Sequence, residues 1–165
     1  VIVFLLVFAL ISCEKIRKLP DTPHVEFRSF SVYDTVDILE NKIKAGTLNF
    51  YFEDGDGDLG LNAPEDSLAD SINLFLTLYR EVGGRIIPAP AGDPFKPTGF
   101  RIPYMDNSGQ NKILKGIISV NFTYLFYSSS DSLKYDFYVR DRALNVSNTD
   151  STGIIPISKN GVYKR

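Results

Sequence analysis

Residues 133–140 read LKYDFYVR: Leu133, Tyr135, Phe137 and Val139 alternate with Lys134, Asp136, Tyr138 and Arg140. Successive side chains of a strand point to opposite faces, so this segment predicts a strand with one apolar and one polar face. The same period of two runs outward in both directions. Upstream, residues 116–127 (GIISVNFTYLFY) put Ile118, Val120, Phe122, Tyr124 and Phe126 on one face, as the longest strand expected. Residues 73–82 (NLFLTLYREV) give another, and Gly83-Gly84 suits a tight hairpin turn into Arg85, Ile86 and Ile87. Residues 88–97 (PAPAGDPFKP) read as loop, because proline cannot donate to a ladder.

Nearer the N-terminus, Val25 and Phe27 are out of phase with Phe30 and Val32, which predicts a first strand with a bulge. Leu48, Phe50 and Phe52 mark a second strand. Residues 99–105 read as a short edge strand carrying Pro103, and residues 147–157 as a last segment. Residues 36–45 have a weak helical flavour. About seven strands with no convincing helix predict an all-β fold, an antiparallel β-sandwich of the immunoglobulin or fibronectin-III type. The stretch 138–148 (YVRDRALNVSN) resembles the end of many bacterial Ig-like domains, in which a strand runs into a D-x-x-x-N turn before a closing strand.

The chain has 165 residues, enough for one domain with its own core; 13% are aromatic and 23% charged, a globular composition. A formal net charge of −2 supplies no basic field for a phosphate backbone, so no nucleic-acid partner is expected. The single cysteine, Cys13, excludes an internal disulfide and a Cys-rich metal site.

Residues 1–11 (VIVFLLVFALI) are unbroken apolar sequence. Crossing a bilayer takes about 20 residues, so this run matches the apolar part of a secretory signal instead. It leads into Leu10-Ile11-Ser12-Cys13, which resembles a bacterial lipobox. That resemblance implies a signal peptide over residues 1–12, lipidation of Cys13, a tether over 13–22 and the β-sandwich over 23–165. Several acyl chains, at about 0.8 kcal/mol per buried methylene, give durable anchoring to a membrane. The only methionine is Met105, so the leader is expected to be N-terminally incomplete. The expected location is the cell envelope, at the outer membrane. Glu14 stands alone before Lys15, Arg17 and Lys18, which leaves the periplasmic and the outward-facing sides both open.

The sharpest motif is residues 52–61, FEDGDGDLGL. Asp54, Asp56 and Asp58 are separated by single glycines, and carboxylates so close repel unless a cation neutralises them. Calcium takes six to eight oxygens in flexible geometry. Counted as an EF-hand loop from Asp54, Glu65 falls twelfth, but the sixth position is Leu59 rather than glycine and the flanks read as strand. The motif is therefore no EF-hand. Two readings stand: a calcium site, or a solvated turn in which glycine and aspartate serve the backbone. An Ig-type sandwich adds an inference. The second and sixth strands run the same way, so Asp54, Asp56 and Asp58 should meet Asp141, Asn145 and Asn148 at one pole. The loop and the DRALNVSN stretch together resemble a group of Bacteroidetes lipoproteins without an assigned activity.

Nucleophilic catalysis needs a base, and the only histidine, His24, sits beside Pro23 near the tether. No catalytic residues are assigned, and the chain is not expected to be an enzyme. With no tryptophan but nine tyrosines, a row of rings could stack on sugars or simply pack the sheet. Thr35, Ser67, Ser71, Ser132 and Ser151 each follow an aspartate in a pattern that resembles the O-glycosylation site of exported Bacteroidetes proteins. Average composition gives roughly one such match. The sequence thus points to a non-catalytic, lipid-anchored binding or scaffold module whose partner is an envelope protein or a glycan. A carbohydrate-binding accessory of a glycan-uptake system is the alternative.

Overall fold

The computed structural model describes residues 19–62, 72–106 and 111–165. Nine strands follow one another: β1 (His24–Val36), β2 (Lys42–Asp54), β3 (Leu74–Val82), β4 (Arg85–Pro88), β5 (Leu114–Tyr124), β6 (Ser132–Val139), β7 (Asp150–Ser151), β8 (Ile155–Pro156) and β9 (Gly161–Tyr163). One sheet has the order β5-β2-β1-β9; the other has β4-β3-β6-β7, with β8 also on β6. All these pairings are antiparallel. Strands 1, 2 and 5 on one side and 3, 4 and 6 on the other make an Ig-like, fibronectin-III-like sandwich. The described residues contain no helix, and none long and apolar enough to cross a membrane.

The alternation of β6 is carried out in full: Leu133, Tyr135, Phe137 and Val139 are wholly buried. They meet the inner face of the opposite sheet, where the Phe50 ring lies 5.1 Å from Phe137 and the Phe30 ring 6.0 Å from Tyr135. The phase change in β1 is a register shift between Phe27 and Ser29, which lets both Phe27 and Phe30 face inward. At the hairpin, Gly83 and Gly84 have φ of 58° and 76°, the left-handed pair that a two-residue turn between twisted strands requires.

Four expectations are corrected. Residues 42–45 of the segment with helical flavour belong to β2, whose pairing with β1 continues to Val36–Lys42. Residues 99–105 form no strand; their β-pairing among the described residues amounts to the isolated bridges Leu74–Phe100 and Leu61–Pro103. The longest strands are β1 and β2, each 13 residues, not the 11-residue β5. Because β5 ends at Tyr124, Phe126 leaves the inner face and is 83% exposed.

Candidate functional site: a carboxylate cage at one pole

β2 ends at Asp54, and β6 ends two residues before Asp141. The two strands run in the same direction in opposite sheets, so both ends arrive at one pole. There Asp54, Asp56, Asp58 and Asp141 each present a carboxylate oxygen, and these oxygens all lie within 4.8 Å of one another.

Two of these carboxylates are oriented through their other oxygens. Asp54 Oδ2 accepts the backbone N–H of Asp58 and of Leu59, each at 2.9 Å, and Asp58 Oδ2 accepts that of Ala143 at 3.0 Å. What remains is unusual. Asp54 Oδ1, Asp56 Oδ1 and Asp58 Oδ1 are buried and find no donor among the described residues. Asp54 is 1% exposed, so an unpartnered charged oxygen there would cost several kcal/mol without a compensating cation or proton. Burial, with the like charge of Asp56 and Asp58, pushes the Asp54 carboxyl up to about 7. Asp58 is raised by burial and by the charges of Asp141 and Asp56, which outweigh the nearby Arg142.

Asp141 is held differently. Its Oδ1 accepts the Asn145 N–H at 2.7 Å and its Oδ2 the Asn145 side-chain amide at 2.9 Å. Asn145 thus supports Asp141 from behind, with its amide nitrogen turned to the carboxylate. Asn148 lies at the same pole, as expected, but beside the start of β1, where its side chain donates to Val25 O and accepts Val25 N–H, both at 2.9 Å. Glu65 lies outside the described residues, as do Cys13, Ser67 and Ser71. Of the remaining modification candidates, Thr35 and Ser132 are half-buried, and Ser151 donates its hydroxyl to Asp136 at 2.6 Å. His24 is exposed at the start of β1.

Three residues that sequence reasoning missed build the cage's walls. Leu59, noted only as the wrong residue for an EF-hand, is wholly buried and plugs the loop into the core. Asn73 is 1% exposed; its side chain donates to Leu59 O at 2.8 Å and accepts the Ile102 N–H at 2.7 Å. An amide opening an apolar strand is the signal that could have found it. Arg142 donates to Gly60 O and lies over the Tyr104 ring, 5.0 Å from its centroid.

Fold and site together define an all-β sandwich with an oxygen-rich, negatively charged pole made from two distant segments. No family model, no curated protein and no solved structure matches this chain.

Proposed function

We propose that this chain is a non-catalytic, lipid-anchored module of the cell envelope that serves binding or scaffolding and is stabilised by calcium at its acidic pole. The observation that carries the calcium reading is the buried, donorless Oδ1 of Asp54, facing Asp56, Asp58 and Asp141. Hard oxygen donors from carboxylates on a glycine-rich loop are the chemistry that calcium prefers, with water or carbonyl oxygens completing its six to eight ligands. The lipobox-like sequence before Cys13 supports the anchor.

Raising free calcium from nil, in a chelator, to a hundredfold excess over the dissociation constant should add about 2.7 kcal/mol. For a domain of this size that lifts the melting temperature by about 5–10 °C. An identical melt in chelator and in millimolar calcium would exclude the calcium reading. Incorporation of labelled palmitate, lost on Cys13→Ser, tests the anchor.

One observation favours carbohydrate binding as a second reading. Phe75, Tyr79 and Tyr138 share the outer face of the β4-β3-β6-β7 sheet, with the Phe75 and Tyr138 rings stacked 5.0 Å apart. Yet Arg140 lies over Phe75 and Lys134 over Tyr79, so these rings already have partners. Glycan-array binding abolished by Tyr138→Ala would support this reading.

A further inference from the structure

The glycines of the acidic loop each stand where another stretch of backbone passes. A Cβ on Gly55 would lie 2.3 Å from Pro20 O and 2.5 Å from Leu19 O; on Gly57 it would meet Lys112 O at 1.9 Å, and on Gly60 Pro103 O at 2.3 Å. No side chain fits at any of the three. The alternation of aspartate and glycine therefore serves two purposes at once: the aspartates face the cage, and the glycines let other segments close on it.

The contact at Gly55 differs from the others in what it holds. Its N–H donates to Pro20 O at 3.0 Å. Leu19 and Pro20 are where the described chain enters the sandwich from the side of Cys13. Beside this contact Leu19, Pro20, Thr22, His24 and Glu53 line a cavity of about 190 Å³, so the entering segment packs closely on the acidic loop on one side and borders open space on another. Among the described residues, the hydrogen bond from Gly55 and the close contact around it join the entering segment to the acidic loop.

We propose that calcium in the cage tightens the loop's hold on Leu19 and Pro20, and so fixes the direction in which the chain leaves the sandwich toward Cys13. This rests on the reading of the pole as a calcium site. Gly55 lies between Asp54 and Asp56, and Gly57 between Asp56 and Asp58. When the three carboxylates carry charge and no dication lies among them, their repulsion spreads the loop, and spreading turns the Gly55 N–H away from Pro20. A dication draws the three Oδ1 atoms inward and holds Gly55 in register with the entering chain.

Amide hydrogen exchange on the full chain, in chelator and in millimolar calcium, tests this at the bond concerned. The comparison amide is Asp131 N–H, which donates to Ser128 O in the turn before β6, at the opposite pole. Calcium is expected to slow Gly55 exchange at least tenfold while Asp131 changes less than twofold, and Asp56→Asn should abolish the slowing. A calcium-dependent rise in melting temperature with Gly55 slowed no more than Asp131 would overturn the tether inference and leave the calcium site standing. No effect of calcium on either the melt or Gly55 would overturn both.

Discussion

Asp54 uses its two oxygens for opposite ends. Oδ2 is satisfied by two backbone N–H groups and fixes the loop, while Oδ1 is buried without a donor. The second oxygen makes stability depend on pH. A carboxyl whose folded value is raised to about 7 stabilises the fold most below its unfolded value, and that contribution is lost as pH rises through 7. In chelator the melting temperature should therefore fall between pH 5 and pH 8, and calcium should flatten the fall. Asp93 behaves in the opposite sense. Burial works against its ionisation, but the Arg80 guanidinium and the Phe95 N–H override this and hold it below the usual range. Its contribution is present above the unfolded value and is lost as pH drops below about 4. Glycine substitutions separate strain from crowding. Gly57 and Gly83 both have positive φ, but a Cβ on Gly83 meets nothing within 4 Å, whereas one on Gly57 runs into Lys112 O. Gly83→Ala should cost about 1 kcal/mol and Gly57→Ala about 3 kcal/mol, measured by urea denaturation. The aspartates were legible in the sequence as a charge cluster. That their glycines seat three other segments was not, because Pro20, Lys112 and Pro103 approach through backbone carbonyls, which no side-chain pattern marks.

At the scale of elements, one arginine holds two loops to β3. Arg80 makes a two-pronged pair with Asp93 at 2.8 Å on each prong, reaches Asp131 Oδ1 at 2.8 Å, and stands 4.5 Å from the centroid of the Phe95 ring. The Asp93 side chain is 5% exposed, so Arg80→Leu leaves a buried charge unpaired and should cost about 3 kcal/mol. Arg80→Lys should restore only part of this, since an ammonium cannot match both carboxylate oxygens at once. This pair joins the proline-rich loop to the turn before β6 across a separation no local pattern reveals. The strands themselves were far more legible. Wherever one face is buried and the other wet, as in β6, alternation gives the strand and its inward residues directly. The reading weakened where that contrast fades. Lys42, Ile43, Lys44 and Ala45 alternate too briefly to mark a strand, and Lys44 is buried along with Ile43 and Ala45, so burial there does not follow the alternation. In 99–105, alternating apolar residues pack against the core without ladder partners beyond two single bridges. The closing strands β7 and β8 are two residues each, too short to show any period.

For the whole molecule, the central fact is that two strands from different sheets run the same way and end side by side. From sequence, the direction of the strands could be argued from the expected sandwich, and it brought Asp54, Asp56 and Asp58 to Asp141 correctly. It could not separate Asn145, which props Asp141, from Asn148, which staples the start of β1. Turn residues three apart at one pole face different neighbours, and only the folded backbone decides which. The cage joins β2, the turn after β6 and the chain entering β1, so an ion there would hold both sheets and that entering segment as one unit. Equilibrium dialysis of the full chain against labelled calcium tests this most directly. One calcium ion per chain, displaced only by a large excess of magnesium and lost in Asp56→Asn, is the predicted result. Saturation that never rises above nonspecific background up to millimolar calcium, or binding unchanged by Asp56→Asn, would contradict it.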